Sequence, residues 1–207
     1  MINPGAVLRE VPAGHDGPTR HAGSEVRRRP DHSQFRVGRS RGVASMTTAV
    51  VQEPGDVFVF PTPKTNGVLN LLNLRRLLGT DPSRQPSFFD HPWYLDEPFA
   101  REDCESGWHC LYKNVLPDSL SQPLDYASSL NSRGLELASA VEITLMLFLH
   151  YAGTRELLLQ KKHTWCRNRA SMNRWVTVGA FGRNGLFVSG HPPDFSSRGL
   201  GICAKIT

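Results

Sequence analysis

The four residues Ser139-Ala140-Val141-Glu142 constrain this chain more than any other stretch of it. A serine three positions ahead of a glutamate, at the head of an apolar run, is a capping box. The hydroxyl accepts a hydrogen bond from the Glu142 amide, and the carboxylate reaches back to the Ser139 amide. The helix this opens, Ala140 to Ala152, carries Val141, Ile143, Leu145, Met146, Leu147, Phe148, Leu149 and Tyr151, with Gly153 as its expected stop. A helix apolar on every side has no face to offer to water, so it belongs at the centre of a fold. At about 1.5 Å per residue it is roughly 20 Å long, too short for a bilayer core of about 30 Å. Other elements must sheathe it.

Those elements are mixed. Val57-Phe58-Val59-Phe60, ended by Pro61 and Pro63, suits a strand. Gly67 to Leu78 has the apolar spacing of a helix, with Asn66 as its cap, Gly79 as its left-handed end and Pro82 barring continuation. Thr80 to Gly107 is a long ordered loop whose rings (Phe88, Phe89, Trp93, Tyr94, Phe99) are expected to be pinned to the core. A strand from Trp108 to Val115 follows, then loop to Leu137. Leu157-Leu158-Leu159 suggests a further helical piece. Trp175 to Phe181 alternates like a half-buried strand, Asn184-Gly185 signals a hairpin turn, and Leu186-Phe187-Val188 returns. Gly201 to Ile206 reads as one closing strand. Strand, helix, strand, core helix and antiparallel strands in that order give an α+β domain, with the central helix on a small antiparallel sheet and long ordered loops. No internal repeat is present.

Its expected limits are residues 46–207. Ahead of them, residues 1–45 hold few apolar side chains, several prolines and Arg27-Arg28-Arg29, and they carry most of the net charge of +5. Such a segment buries too little to offset about 1–2 kcal/mol of backbone entropy per residue, so it is expected to be a disordered, arginine-rich leader. No secretory h-region is visible and no segment has the apolar length of a membrane span. The cysteines Cys104, Cys110, Cys166 and Cys203 form no CxxC pair. Reduced thiols and a cytoplasmic location are the corresponding expectations.

His163-Thr164-Trp165-Cys166, then Trp175-Val176-Thr177-Val178, Asn184-Gly185 and a last strand through Ile202, resemble the closing strands of bacterial C-type-lectin-like domains. The resemblance covers the C-terminal 45 residues or so. The aromatic-Trp-Ser-Ser/Thr signature of one such group is broken here by Cys166-Arg167. No calcium-ligand cluster or catalytic cysteine pair of that fold's enzymes falls on these positions. What the resemblance implies is a fold whose surface loops bind ligands.

Between Glu156 and Asp194 the chain has no acid but six basic residues, among them Lys161, Lys162, Arg167, Arg169 and Arg174, interleaved with His163, Trp165 and Trp175. Cations neutralise phosphates and rings stack on bases, so this pattern fits an anionic ligand such as nucleic acid or another anionic polymer. The competing reading is a solvated strand edge, its cations paired with the acids of the loop from Asp81 to Glu105. His109-Cys110 and His163-Cys166 have metal half-site spacing, but zinc needs four ligands meeting at one point. Cys166 with His163 or His191 is a conceivable nucleophile and base. Asp90-His91 and the acids from Asp96 to Glu105 are candidates for a metal-dependent hydrolase. His150 on the core helix is expected to be a hydrogen-bonded interior histidine. Phosphate-loop and dinucleotide fingerprints are absent, and no cofactor is expected. A non-enzymatic binding module is the favoured reading. A small hydrolase and a purely structural protein are its rivals.

Overall fold

The computed structural model describes residues 56–207; the proposed leader and the boundary at residue 46 lie outside them. The strands are β1 (Val57–Pro61), β2 (Trp108–Tyr112), β3 (Leu135–Leu137), β4 (His163–Ala170), β5 (Arg174–Gly182), β6 (Gly185–His191), β7 (Leu200–Gly201) and β8 (Ala204–Ile206). The helices are α1 (Leu71–Leu78) and α2 (Ala140–Thr154), with short 3-10 segments in the loops. The fold is α+β. Its strands form two sheets rather than the one small sheet expected, in the orders β1-β2-β8-β3 and β6-β5-β4-β7. Every pairing is antiparallel except β4 with β7.

Helix α2 touches β1 and β2 of the first sheet and β4 and β5 of the second, and every residue from Ala140 to His150 is buried. Both halves of the capping box are made. The helix runs through Gly153, and Arg155 in the left-handed region ends it instead. Among the described residues no helix is long and apolar enough to cross a membrane.

Several boundaries differ from the sequence expectation, each for a tertiary reason. Helix α1 starts at Leu71, with the Asn70 side chain accepting from the Asn73 amide at 2.9 Å. The Leu69 carbonyl is taken by the Cys104 amide at 2.7 Å, which holds Leu69 outside the helix. Strand β2 ends at Tyr112, beyond which the Lys113 amide turns to the Asp56 carbonyl. Leu157-Leu158-Leu159 is not helical but bends into the turn at Gln160-Lys161, with Leu159 at φ 52°. The loop to Leu137 contains a 3-10 stretch, Leu124–Arg133, and then β3.

The closing segment is two strands, not one. Gly201 pairs with Thr164 in the second sheet and Ala204 with Leu137 in the first. Between them the Ile202 amide donates to the Ser119 hydroxyl (2.8 Å) and the Cys203 amide to the Thr164 hydroxyl (2.7 Å). Two side chains thus satisfy the amides that a ladder would otherwise bond, and the chain changes sheet there.

In the loop after α1, Phe88, Tyr94 and Phe99 are buried as expected, and the Trp93 indole donates to the Val188 carbonyl at 2.7 Å. Phe89 is the exception: it stays 39% exposed, edge-on to Phe187.

Candidate functional site

The basic-aromatic stretch lies on β4, β5 and the turn before them, and the fold divides its members. Strand β4 loses register with β5 between Trp165 and Arg169, and both Trp165 and Cys166 are fully enclosed. The Trp165 ring therefore has no free face for a base. Arg167 is bonded to Glu105 at 2.7 Å, Arg169 lies 4.8 Å over the Trp175 ring, and Arg174 lies 5.1 Å over Trp93 and 3.8 Å from Glu97. Lys161 is exposed and Lys162 half-buried. Partners from the acidic loop thus absorb part of the charge.

His163 has a different setting. It stands opposite Gly179, which in turn faces Phe187, so one rung of β4-β5-β6 carries both rings. Phe187, Ser189 and His191 recur at every second position of β6 and so share a face. With Phe195 and Ser197 from the following loop they line a pocket of about 210 Å³ that also includes His163. His191 stacks on Phe195 with centroids 4.3 Å apart, and its Nε2 lies 3.1 Å from the Ser189 hydroxyl, itself bonded to Thr177. The Nδ1 of His163 is enclosed with no hydrogen-bond partner. Burial, then the charge of His191, pushes the His163 imidazole below its ordinary pKa. Burial, then Arg174, does the same to His191. Among the described residues neither ring is paired with a carboxylate. The pocket has two apolar rings, two hydroxyls and two imidazoles in a positive setting.

A second constellation surrounds the start of α2. Glu142 is fully buried, and each of its carboxylate oxygens takes two partners. One accepts from the Ser139 amide and hydroxyl, both at 2.7 Å; the other meets His109 Nδ1 at 2.9 Å and Lys205 Nζ at 3.0 Å. Burial alone would raise this carboxyl. The hydrogen bonds from His109, Ser139 and Lys205 outweigh it and hold the group well below the usual carboxylate range. Beyond the ring, His109 Nε2 lies 2.9 Å from the Thr62 hydroxyl and 3.7 Å from Cys104 Sγ. Thr62 and Cys104 form part of the wall of an open cleft of about 710 Å³, with Trp108, 62% exposed, at its edge. Burial, then Glu142 and Glu105, pushes the Cys104 thiol up to about 12.

The metal candidates do not converge. Among the described residues no group of three or more His, Cys, Asp or Glu is placed to hold an ion. Both nitrogens of His109 face protein partners, Cys110 is half-buried on β2, and Cys166 is enclosed. The nucleophile reading of Cys166 is corrected as well: burial, then Cys203, raises its thiol well above the ordinary value, and no surface reaches it. Four of the loop acids proposed for hydrolysis have internal partners: Asp90 with Arg75, Glu97 with Ser171, Glu102 with Asn168 and Glu105 with Arg167. His91 stacks on Phe187. His150 is the interior histidine expected, 3.2 Å from Glu156.

Sequence reasoning named His163, and His191 only as a conceivable base for Cys166, and missed the pocket they share, although the alternation Phe187, Ser189, His191 was there to read. It named Glu142 only as a cap. Comparison with protein-family models, curated proteins and solved structures finds no match.

Proposed function

We propose that this domain is a binding module that takes a small anionic ligand with a flat apolar body in the pocket between His163 and His191. The observation that carries the reading is the convergence of two imidazoles, His163 and His191, on one cavity lined by two apolar rings and two hydroxyls. A concave site with apolar walls and a few convergent polar groups is the usual form of a small-molecule pocket. Phe187 and Phe195 would flank the apolar body, and Ser189 and Ser197 would offer hydroxyls to its polar end. Arg174 adds a positive field at His191. The resemblance of the C-terminal strands to bacterial C-type-lectin-like domains supports a binding role. The enclosure of Trp165 favours a small ligand over a stacked polymer such as nucleic acid.

The sign of the pH dependence follows. Both imidazoles are depressed in the free protein, and a bound anion favours their protonated forms, so binding takes up a proton. Affinity for the probe benzoate is expected to rise about ten-fold from pH 8 to pH 6, with lower-field imidazole shifts of His163 and His191 on saturation. Titration calorimetry in two buffers of different ionisation enthalpy measures the uptake. Binding left unchanged by His163→Ala together with His191→Ala would overturn the reading. So would retention on an oligonucleotide column that benzoate does not compete.

A further inference from the structure

We propose that Cys104, His109 and Glu142 form a thiol acyl-transfer site opening onto the cleft beside β1 and β2, separate from the histidine pocket and independent of its ligand. The three groups touch in the order Glu142, His109, Cys104. Glu142 holds Nδ1 of the His109 ring at 2.9 Å, and Nε2 lies 3.7 Å from the Cys104 sulfur as well as 2.9 Å from the Thr62 hydroxyl. With Glu142 ionised, Nδ1–H donates to it and the lone pair of Nε2 is left for a proton from outside the ring. A nucleophile, a base and a carboxylate that fixes the base's tautomer are the parts that thiol and hydroxyl acyl-transfer enzymes need. Here they come from the loop before β2, from β2 itself and from the capped end of α2. The cleft gives the sulfur an approach, lined by Gly67, Val68, Ser106, Gly107 and Trp108. Its mixed lining and the exposed Trp108 and Val68 suit an ester or thioester with an apolar acyl or leaving group.

The chemistry starts from a thiol, not a thiolate, because burial keeps Cys104 protonated. The S–H proton passes to His109 Nε2 as the sulfur lone pair adds to the carbonyl carbon and the C=O pair moves to oxygen. Collapse of the adduct re-forms C=O and breaks the bond to the leaving oxygen, which takes the proton back from Nε2. An acyl thioester remains on Cys104. Water then attacks it with Nε2 accepting the proton, and the acid leaves with the thiol restored. Thr62 tunes this step: its own proton goes to the Glu105 carbonyl at 2.6 Å, so its oxygen, 2.9 Å from Nε2, accepts from Nε2 whenever that nitrogen is protonated and draws the ring away from the thiol. Glu142 acts through the ring as a positioning residue.

The test uses the full chain and p-nitrophenyl acetate. The expected result is a stoichiometric burst of p-nitrophenol and an acetyl group on the peptide containing Cys104, both lost in Cys104→Ala. His109→Gln, checked for its fold by near-UV circular dichroism, is expected to lower the burst rate about 10²-fold. Thr62→Val is expected to raise that rate several-fold and to shift its pH profile, readouts that a purely structural contact would leave alone. In folded Glu142→Gln the rate falls with the histidine's, while the intact cleft still admits the ester. A burst that survives Cys104→Ala, acetylation only at Cys110 or at lysines, or no burst at all would overturn the site. A folded His109→Gln protein that acetylates at the original rate would do so too.

Discussion

Glu142→Gln is expected to destabilise the domain by about 2–3 kcal/mol, the loss that follows when a buried donor is left without its charged acceptor. The carboxylate is fully buried and accepts four hydrogen bonds, from Ser139 twice, from His109 and from Lys205. Glutamine keeps the volume but has one acceptor oxygen and an NH₂ group that would point at another donor. Either the Ser139 pair or the His109 and Lys205 pair must lose its acceptor. Lys205 retains Glu136 at 3.2 Å and Glu105 at 3.5 Å, both more exposed, so the orphan is chiefly the His109 ring, which has a relative exposure of 1%. By contrast Ser139→Ala removes one capping hydroxyl and should cost about 1 kcal/mol.

The pH dependence separates this account from a simple packing loss. Glu142 is held below its ordinary value of 4.5, so the unfolded chain binds its proton at a higher pH than the folded one. Its contribution is fully present above the unfolded pKa and drains away as pH falls toward the folded one. The wild-type protein should therefore lose stability steadily below about pH 5, and the Glu142→Gln protein should lose less over that range. Urea midpoints from pH 7 to pH 3 measure both effects. A loss under about 1 kcal/mol at pH 7, or parallel acid slopes, would mean that the pair is not the desolvated network described.

The central helix was legible because its signals are local: a serine, a glutamate three residues on, and apolar side chains on every side. The β5–β6 hairpin was legible for the same reason, although its two-residue connection falls at Arg183-Asn184, one position before the Asn184-Gly185 signal, and Gly185 already belongs to β6. What failed was anything decided by distant partners. Ser119 and Thr164, far away in sequence, split the closing strand between two sheets. The Cys104 amide, not the spacing of leucines, set the start of α1. The functional residues follow the same rule. Glu142 could be read as a cap, but nothing local says that the same carboxylate meets a ring 33 residues earlier and an ammonium near the C-terminus. Charge counting led to His163, yet the bulge in β4 that encloses Trp165 has no sequence signature. A basic stretch shows its cations and hides the acids that meet them.

Gly179→Ala is expected to cost about 3 kcal/mol or more, at the upper end of overpacking in a close-packed interior. Gly179 pairs with His163 and Phe187, in β5, an inner strand of the second sheet. A Cβ there would lie 2.2 Å from the Lys162 carbonyl oxygen and 2.6 Å from His163 Cα. Both are backbone atoms, so no rotamer change relieves the clash, and β4 must move away from β5. That movement breaks the bond from the Ala180 amide to the Lys162 carbonyl, now 2.8 Å, and displaces His163. The variant should therefore lose stability and benzoate binding together. Gly182→Ala is the matched control: its nearest foreign atom is 3.8 Å away, and relieving glycine's chain entropy should leave it unchanged or up to about 1 kcal/mol more stable. Denaturant midpoints of the two variants, with near-UV circular dichroism to report ring packing, decide the matter. Equal stability for the two would mean that β4 and β5 do not approach as closely at His163 as the register requires. The histidine pocket would then lose the rung on which it is built.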